Sequence, residues 1–547
     1  MTETTGLYEL WKQAAAASPD AVATIERRGR ETITTTYAGL DAEIERVRRR
    51  LAVHGLGRGS RIGYWAENRR EFLVWQLAAA AEGAMLVGIN TRYRALEVAH
   101  VLTQARPDTV LMPTALLDLP MAELLHAAAK RAATDAAGWR PPQVALLRPS
   151  TGADVEADPA AYDLGAGTWW ADEAVAEERP DHGAAGRPTD LAMAFTTSGS
   201  TGLPKLAAHD QASIGLHARE VARTVGYRAG DVIASVLPVT GVFSYIPTVA
   251  AVVSGAATLL VPVFEGAETI ALMREHRVTH TFGGDDLYDG LHRGWQQHRL
   301  RLDDWRVAGV ATFIGGVEPL LPWFAEWTGT TPSGAYGSSE LFSLLSLRDK
   351  DEPDRPQWKG GGRLVSDALE VRAVDPGSGE VLPAGTVGLL QFRGYAVLEA
   401  YLRGSEQVPP SLDDGWFDSG DLGSVDADGR SLTYEGRAGE AMRLRGFLVQ
   451  PAEIEHFLVD HPTVGQVKVV GASRGGREEA VAFVTPAEGR TPDPEELLAR
   501  CRAELAPYKV PSTVLVLDAL PVTAGTNGTK VRLGELRQRA QEVVDAR

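Results

Sequence analysis

The chain has 547 residues, 55 of them Lys or Arg and 72 Asp or Glu, with a formal net charge of −17, 44% hydrophobic and 23% charged residues. At roughly 100–200 residues per domain, that length predicts two to four structural units that each bury a core, and the balanced composition excludes a disordered, collagen-like or coiled-coil chain. The acidic balance argues against nucleic acid as the main partner, because nonspecific attraction to a phosphate backbone comes from Lys and Arg displacing counterions.

Residues 1–20 carry acids early and lack a basic, apolar and cleavage-site succession, so the expectation is a cytoplasmic protein with no secretory signal. Leu40, Ile44, Val47 and Leu51 step along one face of a helix, and Gly55 supplies its stop. Arg48, Arg49 and Arg50 are expected mostly on the solvated side of that helix. Strand-like runs at Arg61–Tyr64, Met85–Ile89 and Thr109–Met112 alternate with helical patterns over Phe72–Ala81 and Ala95–Thr103. That rhythm predicts βαβ units and a parallel sheet. From Ala128 to Pro188 the composition shifts to Ala, Asp, Gly and Pro, which predicts a loosely specified excursion rather than a core.

Val232 to Phe264 contains no charged residue and exceeds the roughly 20 residues needed to span a bilayer. Pro238, Gly241, Pro247, Gly255 and Pro262 interrupt it, so the expectation is a buried loop, helix and strand. The βα rhythm recurs at Thr258–Val263, Thr269–Glu275, Thr279–Phe282 and Val310–Ile314. Beyond Gly436 the units become smaller: helices over Pro451–Val459 and Pro494–Glu504, strands over Val464–Val470, Ala480–Val484 and Ser512–Leu517. The lone Cys501 permits no intrachain disulfide and is expected as a small buried hydrophobe on the second of these helices.

The sharpest local signal is Thr196-Thr197-Ser198-Gly199-Ser200-Thr201-Gly202-Leu203-Pro204-Lys205, which follows the apolar run Leu191–Phe195. Glycines let backbone approach an anion closely, hydroxyls and amides wrap phosphate oxygens, and Lys205 supplies charge. The segment is not a GxxxxGK[ST] loop: Pro204 stands where the second glycine is required, and Leu206 where the magnesium-binding hydroxyl belongs. Elsewhere Tyr336 offers a flat face for adenine, Glu340 a carboxylate for magnesium, Asp421 a carboxylate for ribose hydroxyls and Arg437 a planar donor. Taken singly, a core tyrosine, a surface acid and a turn aspartate are the preferred readings; only an ordered set of motifs reverses that.

Several stretches in a fixed order resemble the adenylate-forming superfamily of acyl-CoA synthetases, firefly luciferase and nonribosomal-peptide adenylation domains. The cradle is similar to TSGTTGxPKG with Leu206 for the last glycine, and Gly334-Ala335-Tyr336-Gly337-Ser338-Ser339-Glu340 to YG[ST]TE. Gly415 to Asp421 is similar to GW[FL]xTGD, and Gly436-Arg437, Arg445-Gly446-Phe447 and Pro451 to Glu455 to the hinge signature. Pro521-Val522-Thr523, Asn527 to Lys530 and Arg532 are similar to PxTxxGKxxR. The wording of Asn90–Arg94, Gly283–Asp286 and Arg443–Val449 looks most like bacterial fatty-acyl-CoA synthetases.

The resemblance implies an α/β fold: a large ATP- and acid-binding N-terminal body (1–436) with βαβ-built sheets, and a small mobile C-terminal α+β lid domain (437–547) carrying a catalytic lysine. It implies an ATP-dependent carboxylic acid–CoA ligase that forms an acyl-adenylate, releases pyrophosphate and then makes the thioester. The alternative keeps adenylation but changes the partners: nitrite activated for an aryl amine, an amide-forming ligase, or carrier-protein loading. Lys530, Glu340 and Thr197 are the implied catalytic residues, with Glu340 holding Mg2+. Thr197, Ser198, Gly199, Ser200, Thr201, Gly202, Lys205, Gly316, Val317, Glu318, Tyr336, Gly337, Ser338, Ser339, Asp421 and Arg437 are the implied ATP contacts, and Gly446 lies beside the CoA pantetheine path. Monomer or homodimer, with no membrane span, is the implied assembly. Two departures stand out: Gly439 occupies the hinge position that often carries Asp or Lys, and Leu237 to Phe243 lacks the histidine of the family's LPxxH. Asp285 and Asp286 are expected to cap a helix, with recognition of a substrate cation or donor as the other reading.

Overall fold

The computed structural model describes residues 5–29, 31–116, 119–149, 158–173, 185–197, 204–312, 317–349, 356–440, 442–444, 447–449, 451–474, 477–505, 509–525 and 528–547. A nine-stranded sheet has a parallel core of Arg61–Tyr64, Met85–Gly88, Thr109–Pro113, Gln143–Leu147, Thr168–Trp170 and Leu191–Thr197. It continues antiparallel through Lys205–Asp210, Ala400–Arg403 and Glu406–Val408. The second, 14-stranded sheet is parallel from Val22–Arg28 through Ala257–Leu260, Val232–Ser235, His280–Gly284 and Val307–Ala311 to Pro332–Ser338. Past that strand it turns antiparallel, through Phe342–Leu347, Gly361–Leu364, Ser431–Arg437, Trp416–Val425, Gly388–Gly394 and Leu369–Val374.

The helices Arg70–Glu82 and Val242–Val253 are buried over almost their whole length, which is why both read as apolar on all sides. One hydrophobic cluster joins them to strand residues of both sheets, including Phe195, Leu86, Ile233 and Leu260. The uncharged stretch near 232–264 is therefore interior packing: strand, helix and strand, as the helix-breaking residues imply. Among the described residues no helix is long and apolar enough to cross a membrane.

The predicted amphipathic helix spans Tyr37–Val53, begins at Thr36, whose hydroxyl accepts from the Gly39 amide, and is followed by Gly55 at φ +70°. Its basic run needs correction. Arg48 is buried and donates to Glu82 and Glu45, each at 2.8 Å, because it faces the neighbouring helix Arg70–Glu82 rather than water. The segment from 128 to 188 also needs correction. It completes the helix Met121–Asp135, with Ala128 and Ala132 fully buried, and adds Gln143–Leu147 and Thr168–Trp170 to the parallel sheet. Short apolar runs inside Ala- and Pro-rich sequence carry too little periodicity to be seen as strands.

The C-terminal residues build a separate five-stranded sheet from Met442–Leu444, Phe447–Val449, Val464–Arg474, Arg477–Pro486 and Thr513–Val516. The helices Pro451–Val459 and Pro494–Glu504 line one small core, where Cys501 is buried, and Leu533–Asp545 lines another. The hairpin Val522–Gly525 with Gly528–Val531 forms its own two-stranded sheet.

Candidate functional site

Asp421 and Arg437 face each other as register partners of adjacent antiparallel strands. Arg437 Nε lies 3.1 Å from Asp421 Oδ1, and Arg437 also donates to the Ser419 carbonyl at 3.0 Å. Tyr336, near the end of Pro332–Ser338, donates its hydroxyl to Asp421 Oδ2 at 2.7 Å. Its ring stacks on Phe392 at 5.5 Å between centroids and tilts against Tyr434 at 5.7 Å. Asp421 is 3% exposed, and burial raises its pKa against the opposing pull of Arg437 and of the Tyr336 hydrogen bond. Burial, reinforced by Asp421, keeps the Tyr336 phenol neutral and donating. Tyr336, Asp421 and Arg437, which the sequence offers as separate candidates, thus form one network before any ligand is considered.

Between Tyr336 and Glu340 the backbone bends sharply. A Cβ on Gly337 would stand 2.3 Å from the Phe342 carbonyl oxygen, so glycine is obligatory there. Phe342 and Leu344 hold φ of +65° and +56°, a left-handed conformation that costs on the order of 1–3 kcal/mol in residues bearing a Cβ. Packing holds Phe342 in place: its ring lies between His209 at 4.0 Å and His217 at 4.9 Å. His209 Nε2 donates to the Ser339 carbonyl and His217 Nε2 to the Ser343 carbonyl, both at 2.8 Å. Burial pushes both imidazoles down to about 4, so they stay neutral. These histidines shape the turn that carries Glu340, and no local pattern announces it, because their partners lie more than a hundred residues away in the chain.

Only the two ends of the predicted cradle are described. Thr197 pairs with Lys205 across antiparallel strands. Ser198, Gly199, Ser200, Thr201 and Gly202 lie outside the described residues, as do Gly316 and Gly446. His100 Nε2 donates to the Pro204 carbonyl at 2.8 Å, and Lys205 Nζ stands 5.3 Å from the Tyr401 ring centre. Val317 is fully buried in a hydrophobic cluster, whereas Glu318 is exposed. Ser339 is buried and Ser338 half-buried.

Lys530 arrives from the separate hairpin, on the strand Gly528–Val531. Its ammonium interacts with Arg437, Glu340, Asp421 and Glu440; burial and Arg437 lower its pKa, and the three acids oppose them. A lysine, two motif carboxylates and a motif arginine from widely separated stretches thus lie within mutual electrostatic reach. Gly436, where the chain leaves this network, has φ +151°, a conformation suited to glycine.

Asp285 and Asp286 only partly follow expectation. They open the helix Asp285–His298, whose N-cap is Gly284 with no side-chain cap. Asp285 Oδ1 accepts from the Asp286 amide at 3.2 Å, while Asp286 Oδ2 accepts from the Thr529 amide at 2.9 Å, across to the Lys530 hairpin. The capping expectation fails for Asp286 because its carboxylate turns away from its own helix.

The donor set suits magnesium: Glu340 offers one carboxylate, and Mg2+ usually takes one or two carboxylates and fills its shell with phosphate and water. Asp421 Oδ1, buried and ion-paired with Arg437 but accepting no hydrogen bond among the described residues, retains a lone pair for a hydroxyl.

A sequence model of the AMP-binding enzyme family matches residues 11–402, and a model of the AMP-binding enzyme C-terminal domain matches residues 453–526. The chain is 28% identical over 538 residues to the feruloyl-CoA synthase of an Amycolatopsis species, covering 96% of this chain and 97% of that protein. It is 28% identical over 542 residues to the 3-methylmercaptopropionyl-CoA ligase of Ruegeria pomeroyi, covering 93% and 92%. The crystal structure of ATP-bound MatB from Rhodopseudomonas palustris superposes with a TM-score of 0.79 at 25% identity, covering 99% of this chain and all of that one. From these matches and the ordered site motifs, the chain belongs to the AMP-binding enzyme family.

Proposed function

We propose that this chain is an ATP-dependent acid–CoA ligase that activates a carboxylic acid as its adenylate and passes the acyl group to the thiol of CoA. The observation that carries this reading is the convergence of Lys530 with Glu340, Asp421 and Arg437. Asp421 and Arg437 hold the ribose, with Tyr336 fixing the Asp421 carboxylate and offering its ring to the base. Thr197 and Lys205, with the hydroxyls and glycines between them in sequence, supply the phosphate contacts. A magnesium ion held by Glu340 and the triphosphate would offset phosphate charge there.

Lys530 brings two anions together, the attacking carboxylate and the α-phosphate, and stabilises the charge that builds on phosphorus. One carboxylate oxygen bonds to the α-phosphorus and pyrophosphate leaves. The C-terminal lid, residues 437–547, then turns about 436–440, so that large φ/ψ changes fall on few residues. The CoA thiol, reaching in past Gly446, attacks the acyl carbon; the thioester forms and AMP leaves.

The test incubates the protein with ATP, magnesium and a panel of aliphatic and aromatic acids, with and without CoA, followed by mass spectrometry and ATP–pyrophosphate exchange. Exchange with at least one acid, and CoA consumed together with AMP release, is expected. Exchange without CoA consumption would leave adenylation standing and overturn CoA as the acceptor.

A further inference from the structure

Asp286 belongs to the body yet bonds to the lid. Its Oδ2 accepts from the Thr529 amide at 2.9 Å, between residues 243 positions apart, and its Oδ1 is buried with no hydrogen-bond partner among the described residues. Thr529 pairs with Ala524 and the next residue, Lys530, with Thr523, so the grasped amide lies one peptide unit from the lysine. An ionised acceptor makes one of the stronger hydrogen bonds to a backbone N–H.

The grip has a purpose in the electrostatics of the site. Docking the Lys530 ammonium removes it from water and sets it near Arg437, and both effects oppose docking. Glu340, Asp421 and Glu440 offset part of this opposition through charge. Asp286 contributes differently, by holding the hairpin's backbone rather than the ammonium. The hairpin joins no larger sheet, so strand pairing with the body does not fix its orientation. A carboxylate on the first turn of a helix that follows the buried strand His280–Gly284 is a rigid anchor for it.

We propose that Asp286 is the positioning residue that latches the Lys530 hairpin to the body for adenylation, releasing it when the lid turns for thioester formation. This rests on the reading of Lys530 given above. Asp286 itself touches no reacting atom. Its effect is on how often Lys530 is in place, which separates the two half-reactions: adenylation depends on the latch, and acyl transfer does not.

Hydrogen–deuterium exchange on the full-length chain tests the latch without any acid. Asp286→Ala is expected to speed exchange in the peptide covering 522–531 by about 10- to 100-fold, the usual range for losing a hydrogen bond to a charged group. Asp286→Asn, which keeps an acceptor, is expected to restore most of the protection. The helix Asp285–His298 serves as the folding control. Unchanged hairpin exchange in Asp286→Ala overturns the latch, whatever acid the enzyme uses.

With an acid that supports exchange of pyrophosphate, Asp286→Ala is expected to lower its kcat about tenfold with little change in the KM for ATP. Thioester formation from chemically prepared adenylate should be unchanged, and Asp286→Ala added to Lys530→Ala should cost nothing further. Multiplying losses in the double variant overturn positioning through Lys530. If no acid supports exchange in the wild type, the ligase reading fails while the deuterium result still judges the latch.

Discussion

Asp421 is held by strand register with Arg437, by the Tyr336 hydroxyl and by burial, whereas Lys530, within electrostatic reach of it, stands on a two-stranded hairpin outside the larger sheets. The first is preorganised: its partners are in place without ligand, so the carboxylate needs no reorganisation to accept a further hydrogen bond. The second is delivered. Its environment penalises the ammonium, acids offset part of that penalty, and a backbone latch to Asp286 helps to keep it there. The difference teaches how one site accommodates two half-reactions. On the proposed reading the nucleotide end need never change, while Lys530, required only for the first half, rides on a part that leaves.

The largest break in this comparison is expected from Lys530→Ala. Adenylation, followed by pyrophosphate exchange, should fall roughly 10²- to 10³-fold, comparable with removing one preorganised transition-state donor. Acyl transfer from prepared adenylate should persist, and wild-type exchange in this variant would remove the lysine from the mechanism. Asp421→Ala strikes the fixed half instead. It is expected to raise the KM for ATP about 10- to 100-fold, the range for lost hydrogen bonds to a charged group, in whichever acid's assay is used. An unchanged KM would mean that the ribose lies elsewhere.

Acid should loosen the fixed half through its histidines. His209 and His217 titrate near 4 in the folded protein because burial disfavours the cation, against about 6.5 in the unfolded chain. The unfolded state therefore takes up protons between these values that the folded state refuses, so stability is full above pH 6.5 and declines as pH falls toward 4. Denaturant midpoints at pH 7, 5.5 and 4.5 measure the decline, and His209→Leu should flatten it. The smallest effect belongs to Gly439→Ala. Among the described residues no atom lies within 4 Å of the added Cβ, so both half-reactions should change by no more than about twofold, as for neutral surface substitutions. A large loss confined to acyl transfer would identify position 439 as a site of backbone rotation.

Much of the site was legible before the fold. Tyr336, Glu340, Asp421, Arg437 and Lys530 sit in local stretches whose order and spacing match the family's motifs, so the sequence exposes them as candidates. The βαβ rhythm was legible for the same reason: apolar periodicity is a property of neighbouring residues. Arg48 was misread because the acid that justifies burying it, Glu82, is on another helix.

The sequence by itself determined the family, the alternating elements of the parallel sheets and the residue types that meet a nucleotide, since each depends on contacts within a few turns of chain. Only the tertiary structure decided that Tyr336 joins the Asp421–Arg437 pair, that two neutral histidines hold the turn around Glu340, and that Asp286 reaches Thr529. Those hydrogen bonds join residues between 85 and 243 positions apart. No local pattern encodes such a contact, because its energy appears only after the sheets have brought the partners within hydrogen-bonding distance.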